Sequence, residues 1–567
     1  MIIISALLKM RFETMVSNEE LAELLFPEIT TTIEDLEKRF PLRQLPEGAQ
    51  VTRFAPSPTG FLHTGSLFTS MISYLTAKKS GGVYFFRLED TDTKRTIAGS
   101  ERDLIDQLAH FGIVADEGFF PEGDKGNYGP YKQSARADIY KAVIKELIKR
   151  GRAYPDFCTP EDLDAIRKAQ EESKVLPGYY GAYARDRNLS NDERVARIKA
   201  GTPWVIRFYS NGDHDRKTKF TDAIRGEIEL QDNDTDVVIL KSDGLPTYHF
   251  AHVVDDHFMR TTMITRGEEW IPSTPIHLDM FRALGWKAPK YAHIPSIMKL
   301  DHGNKRKLSK RKDPEAAVSY FLEQGYPTHA LLVYLMSIAN SNFEEWTIAN
   351  KSFDLSKFPF SIKKIALEGA LFDQDKLNYF SKEIIAKMPL EEEFAQVKAY
   401  ADAHDEKLSA KIAENPDYVK SILNIEKDRK NPRKDYAKYA DIYPLIRFFF
   451  DEEYESILAA GLPFKAELSH DLIKAFLNDA KAEMPFGTDE STWFNAIKEI
   501  GGKHGYALSN KDYKENPSAY VGSVSDCAEL LRVAIVGTNQ SPNLHEILEI
   551  LGKDKTTQRL DKVIASL

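Results

Sequence analysis

Cysteine is nearly missing from this sequence: Cys158 and Cys527 are the only two among 567 residues. Two thiols so far apart make no disulfide framework and, by themselves, no zinc site. Their scarcity points to a reducing compartment, and a cytoplasmic location is expected. Long hydrophobic runs are missing as well. No stretch approaches the roughly 18 consecutive apolar residues of a membrane span, so no membrane partner is expected. The chain opens on the apolar residues Met1–Leu8, but no basic segment precedes them and no small-residue cleavage site follows. They read as an N-terminal extension or a start assigned too early, not as a secretion signal. An excess of positive charge is the third absence. Lys and Arg number 76 against 86 Asp and Glu, a net charge of −10, whereas phosphate contacts call for cations. Repeats of solenoid period and low-complexity segments are absent too, which excludes a repeat array.

What is present is an ordinary globular composition, 42% hydrophobic and 29% charged, in a chain long enough for roughly three to five domains. Charge distribution says more than its total. Residues 299–312 form a dense basic island in an acidic chain, and a looser one runs Lys427–Lys434. Either alone reads as readily as a solvated loop. Ser17-Asn-Glu-Glu20 opens a short helix ending near Phe26-Pro27, by the reciprocal capping pattern. Val51–Ala55 reads as a strand; Pro56-Ser-Pro-Thr-Gly60 forces a turn. A helix follows, with Leu67, Phe68, Met71, Ile72 and Leu75 on one face; Gly81-Gly82 ends it and Val83–Leu88 is a buried strand. This strand–turn–helix–strand order predicts a parallel sheet with a ligand site at its carboxyl edge. Ser134–Arg150 reads as a helix capped by Ser134. Residues 151–235 turn to mixed charge and short strands (204–209, 227–230), as an insertion would, and the sheet resumes with strands at 237–241, 248–254 and 263–266. Beyond Asp313 the 3.6-residue period dominates to Leu567. The expected architecture is an interrupted α/β nucleotide domain followed by an all-α half.

Two motifs carry chemistry. Arg53–Ser66, at the first strand-to-helix turn, contains Gly60, His63 and Gly65. A helix N-terminus presents unpaired N–H groups and a positive dipole end to phosphate, and His63 can donate to a phosphate oxygen. A lone histidine there is more often a capping or packing residue. The second motif is Lys307-Leu-Ser-Lys-Arg311. Lysines flanking a serine can neutralise charge that builds on a triphosphate during cleavage, although lysine-rich loops are common.

Taken together, the first motif resembles the HIGH signature of class I aminoacyl-tRNA synthetases and the second their KMSKS loop. The surroundings narrow the resemblance to the bacterial-type glutamyl-tRNA synthetases: Phe86–Asp92, Gly244–His249, Val253–Asp256, Arg266–Glu269 and Thr274–Ile276 are similar to that family's motifs, in its order. The likeness runs from about Val51 to Leu567 and thins after Pro314, where Phe372–Leu377 and Leu531–Pro542 still resemble family landmarks. It implies a Rossmann-type catalytic domain (47–130 and 236–312) interrupted by an acceptor-binding insertion (131–235), then a helical stem-contact domain (313–385) and an all-α anticodon-binding domain (386–567), after a helical leader (1–46).

The physics of the substrate agrees. Glutamate carries two carboxylates and an ammonium group, and arginine's planar fork is the best carboxylate partner; Arg53 and Arg266 lie at predicted strand ends. The resemblance implies that Arg53 and Tyr248 hold the side-chain carboxylate and Arg266 the α-carboxylate, that Ser57 and Glu89 receive the ammonium group, and that Ala55 and His252 complete the glutamate site. His63, Gly65, Ser66, Lys307, Ser309 and Lys310 would bind ATP, with His63, Lys307 and Lys310 catalytic. The implied substrates are ATP with Mg2+, L-glutamate and tRNA(Glu), with tRNA(Gln) as an open second acceptor, and the implied state is a monomer. The pattern departs in places. Ser66 replaces the second histidine of the signature, His252 stands where some relatives have asparagine, and Tyr379 where tryptophan is usual. Only Cys158 occurs where many relatives have a zinc-binding cysteine cluster, so no zinc and no protein-held metal is expected. A tRNA-modifying relative that attaches glutamate to an anticodon base stays open, although the stretch 387–567 counts against it. So does a non-catalytic tRNA-binding paralogue, against which the presence of His63 and the lysine loop count.

Overall fold

The computed structural model describes residues 15–567 except Thr59, 93–96, Ala98 and Lys310. Met1–Leu8 and Lys310 therefore lie outside the described residues. The chain divides into two compact units, Met1–Val318 with Leu335–Phe372, and Ser319–Tyr334 with Asp373–Leu567.

In the first unit Val51–Phe54, Val83–Phe86 and Glu117–Gly118 form a parallel sheet in that order. A second sheet orders Gly226–Gln231, Lys217–Asp222, Lys290–Ile294 and Met263–Gly267. The two meet where Thr262 N donates to Val51 O at 3.0 Å and Val51 N to Thr262 Oγ1 at 2.8 Å. From Val51 the chain steps outward through Val83 to Glu117, then restarts on the other side at Met263 and steps outward to Lys290. The strand order reverses between Val51–Phe54 and Met263–Gly267, and the carboxyl ends of strands flanking such a point leave a ligand crevice. The helix Thr64–Lys79 buries Leu67, Phe68, Met71 and Ile72. Its exit depends on Gly82, where a Cβ would lie 1.9 Å from Gln50 O, so only glycine passes.

Several elements differ from the sequence reading. Residues 248–254 are not a strand but the start of a helix, Tyr248–Phe258, buried on nearly every side. A short continuous apolar run has no periodicity to separate strand from buried helix. Val238–Leu240 does not rejoin the parallel sheet; it pairs antiparallel with Val205–Phe208, which pairs with Ala153–Asp156. The hairpin Lys217–Gln231, inside the stretch read as an insertion, extends the parallel sheet instead through Asp222 beside Tyr291. Ser134 is no helix cap: Gln133–Arg136 is a 3-10 turn before Ala137–Lys149, and Ser134 N and Oγ donate to Asp90 at 2.8 and 2.6 Å.

Asn18–Leu25 carries the Ser17–Glu20 capping box the sequence signals, and Ile33–Arg39 a second one through Thr32 and Asp35. Leu21, Phe26, Ile29 and Phe40 join one core with Val143, Leu147, Phe250 and Val254. Buried Lys145 ties this leader down, donating to Phe26 O and Ile29 O at 3.0 and 2.7 Å. The leader is thus built into the unit.

The second unit is helical, as the 3.6-residue stripes predict: Gln374–Lys387, Leu390–His404, His470–Glu483, Glu490–Lys503 and Val524–Val536 surround a core that includes Val397, Leu408, Phe476, Ile497 and Leu531. Among the described residues no helix is long and apolar enough to cross a membrane.

Candidate active site

A cavity of about 1390 Å3 opens at the switch point of the parallel sheet. Arg53 and Arg266 both line it, each 5% exposed, but their partners differ. Arg53 Nε lies 3.1 Å from Asp256 Oδ1 and its Nη1 donates to Thr265 O at 3.0 Å. Asp256 also takes Arg87 Nη1 at 2.8 Å. Burial would push the Asp256 carboxyl up, yet the Arg53 and Arg87 guanidiniums override it and hold the group well below its ordinary range. Arg87 continues to Glu89 at 2.8 Å and towards Asp255, which also takes Arg136 Nε at 2.6 Å and the Tyr140 hydroxyl. Glu89 lines the cavity with its pKa raised, burial outweighing Arg87.

Arg266 has no carboxylate within ion-pair distance among the described residues. Its Nε donates to His293 Nε2 at 3.0 Å, Nη1 meets His277 Nδ1 at 3.2 Å, and Nη2 donates to Thr274 Oγ1 at 2.9 Å and Trp270 O at 3.2 Å. A buried cation held only by neutral acceptors attracts an anion.

Tyr248 and Trp270 pack against each other at a tilt of 33°, ring centroids 4.3 Å apart, and both line the cavity with Ala55 and Ser57. Burial raises the Tyr248 pKa. His252, expected among the glutamate contacts, is not at the cavity wall. It is fully buried, stacked behind Tyr248, with Nδ1 2.8 Å from Asp256 Oδ2. One helical turn separates the two residues, so Tyr248 fills the wall position and His252 packs beneath it. Burial, partly opposed by Asp256, pushes its pKa down to about 3.

The phosphate motifs meet at the same cavity. His63 is the N-cap of Thr64–Lys79 without a side-chain capping bond; Nδ1 faces Ala316 O at 3.3 Å. His63, Gly65 and Ser66 line the cavity, and so does Lys307 at the end of Asn304–Lys307. Lys307 Nζ is 3.5 Å from Glu269, and both side chains are more than half exposed. Ser309 does not line the cavity; its N–H donates to Asp313 at 2.8 Å. Asp313 also grips Arg306 at 2.6 Å, and its pKa is lowered chiefly by that guanidinium. Just beyond, Thr64 Oγ1 donates to Glu315 O at 2.7 Å. The segment after the lysine loop is thereby stitched to the His63 turn.

Sequence reasoning missed Trp270, Thr265, Lys241, His277 and His293. Arg266–Glu269 stops one residue short of Trp270 and Thr274–Ile276 one short of His277, while Lys241 ends the strand read at 237–241.

A parallel sheet with its crevice at the reversal, a helix N-terminus and a lysine loop at one cavity define a catalytic unit of the class I aminoacyl-tRNA synthetase type. The family model described as tRNA synthetases class I (E and Q), catalytic domain, matches residues 50–378, and an anticodon binding domain matches 523–564. The glutamate–tRNA ligase of Clostridium perfringens (strain SM101) is 44% identical over 550 residues, covering 97% of this chain and 100% of that protein. That of Sorangium cellulosum is 40% identical over 562 residues, covering 94% and 97%. A crystal structure of a glutamate tRNA ligase from Elizabethkingia meningosepticum, in complex with its amino acid, superposes with a TM-score of 0.71 at 29% identity, covering 91% of this chain and 99% of that one. The chain belongs to the class I tRNA synthetases and, within them, to the glutamate–tRNA ligases.

Proposed function

We propose that this cavity joins L-glutamate to the terminal adenosine of tRNA(Glu) in two steps, with MgATP as the energy source. An α-carboxylate oxygen of glutamate attacks the α-phosphorus, the bond to the β-phosphate oxygen breaks, and pyrophosphate leaves. The 2′-hydroxyl of the adenosine then attacks the acyl carbon of the adenylate, and AMP leaves. Positioning and charge stabilisation supply most of the acceleration. Arg266 takes the α-carboxylate; Arg53 and Tyr248 face the side-chain carboxylate, with Ser57 and Glu89 at the ammonium group. The Thr64–Lys79 N-terminus with His63, Gly65 and Ser66 receives the phosphates; Lys307, Ser309 and Lys310 also bind ATP, with His63 and Lys310 stabilising the phosphoryl transition state and Lys307 assisting.

The observation that carries this reading is Arg266, a buried cation without a carboxylate partner among the described residues, in one cavity with the helix N-terminus. Residues 131–235 would hold the acceptor end, 313–385 the stem and 386–567 the anticodon. The enzyme would act as a cytoplasmic monomer without zinc. Asp156, Cys158 and Asp186 bring ligand atoms within 4.8 Å of one another, but Asp156 already takes Arg207 Nε at 2.7 Å and the Tyr179 hydroxyl at 2.7 Å, which supports that reading.

The test is glutamate attachment to purified tRNA(Glu) and tRNA(Gln) as separate substrates, with Lys310→Ala alongside. Charging of tRNA(Glu) alone defines a discriminating enzyme, and charging of both adds tRNA(Gln) as a substrate. Charging of neither sinks the proposal.

A further inference from the structure

The geometry around Arg266 points to positioning residues beyond the substrate contacts. We propose that Asp222, His293 and His277 fix the Arg266 fork with neutral acceptors, so that its whole positive charge faces the substrate's α-carboxylate. This rests on the reading that Arg266 binds glutamate.

A guanidinium can only donate. The Arg266 Nε contact at 3.0 Å therefore makes His293 Nε2 an acceptor and puts the proton of a neutral ring on Nδ1. That nitrogen is 2.7 Å from Asp222 Oδ2, which accepts the proton and also the His293 backbone N–H at 3.0 Å. Asp222 is held in turn by the N–H groups of Ile224 and Arg225 on its other oxygen, at 2.9 and 3.0 Å. The same logic runs through the second imidazole. His277 Nδ1 accepts from Arg266, so its Nε2–H donates to His249 Nδ1 at 3.0 Å. Each tautomer is set by what the opposite ring nitrogen meets. His277 and His293 are fully buried, and the Arg266 guanidinium lies over the Tyr291 ring, 4.8 Å from its centroid. Burial lowers the pKa of both histidines, with Arg266 pushing the same way and Asp222 opposing at His293. The two imidazoles orient Nε and Nη1, with Thr274 and Trp270 holding Nη2, and none adds a negative charge at hydrogen-bond distance. A carboxylate in place of either imidazole would hold the fork equally well and neutralise it.

The device is also non-local. Asp222 ends the strand Lys217–Asp222, His293 lies on the neighbouring strand Lys290–Ile294, and Arg266 on the next, Met263–Gly267. Three adjacent strands of one sheet line up acid, imidazole and guanidinium.

Kinetics of glutamate attachment to tRNA(Glu) test it. His293→Ala should raise KM for glutamate about 10- to 100-fold, the loss of a hydrogen bond to a charged group, with KM for ATP within about twofold. His293→Gln should recover most of the loss, because its amide oxygen can accept from Arg266 Nε and its amide N–H can donate to Asp222. Asp222→Asn presents an N–H where the His293 ring needs an acceptor, which turns Nε2 into a donor against Arg266; it should raise KM for glutamate as well. If His293→Ala does not fold, Asp222→Asn and His293→Gln decide. The inference is overturned if KM for glutamate stays unchanged in Asp222→Asn, if glutamate and ATP are affected equally, or if glutamine does no better than alanine. Arg266→Ala runs in parallel. An unchanged KM for glutamate there removes the underlying reading, whereas a raised KM with silent His293 and Asp222 variants removes only the positioning role.

Discussion

The ends of two neighbouring strands, Val51–Phe54 and Met263–Gly267, each aim a buried arginine at the same cavity and hold it by opposite means. Arg53 shares Asp256 with Arg87, so part of its charge is matched inside the protein and part faces the cavity. Arg266 is slung between His293, His277, Thr274 and Trp270, and its charge is left for something else. Burial alone therefore does not say how much of an arginine's charge is left for a ligand; the charge of its partners does.

Breaking the carboxylate-held end should show the largest effect. Asp256→Ala strands Arg53 in the interior and leaves Arg87 to Glu89 and Asp255, and urea unfolding should register a loss of about 3–5 kcal/mol; a change below about 1 kcal/mol would mean that Asp256 is no pin. At the other end the cost should fall on function instead. Arg266→Lys keeps the charge but loses the fork, and kcat/KM for glutamate should drop about 100-fold while the urea midpoint hardly moves. If stability falls and kcat/KM does not, the two ends are not different in kind. Acid should then separate them. His252, His277 and His293 have folded pKa values depressed by burial below the ordinary 6.5, to about 3 for His252. Neutral in the fold and readily charged when unfolded, they contribute stability that is complete above about pH 6.5 and is lost as pH falls towards 3. Asp256 stays ionised through that window. Melting temperature should fall across it, less steeply in His252→Gln, and an identical slope would rule His252 out. The smallest effect concerns Lys307 and Glu269, a pair 3.5 Å apart with both side chains more than half exposed. Glu269→Gln should change unfolding free energy by less than about 0.5 kcal/mol, and a larger change would show that pairing without burial suffices.

The candidate site was largely legible as residue types at strand and helix ends. Arg53, His63 and Arg266 sit where their motifs put them, because a strand–turn–helix unit delivers its turn residues to one sheet edge whatever surrounds it. His252 was placed at the glutamate site by resemblance alone; on the helix Tyr248–Phe258 it falls one turn behind Tyr248, packed beneath the cavity wall. The second basic run was equally opaque. Lys427 meets Glu393, Arg429 meets Glu546 and Glu490, and Lys434 meets Glu383. None of these partners is local, so the run of charges carries no sign that they are matched.

Local rules were enough for the capping box at Ser17, for the helical second unit and for the arginines at the strand ends, since each depends on residues within a few positions of one another. Only the tertiary structure decided that the leader belongs to the catalytic unit's core, that the hairpin at 217–231 extends its sheet, and that Arg53 is partly matched while Arg266 is not. Those outcomes turn on contacts between residues far apart in the chain, such as Arg53 with Asp256 and His293 with Asp222, where burial and partner charge act together and leave no local pattern to read.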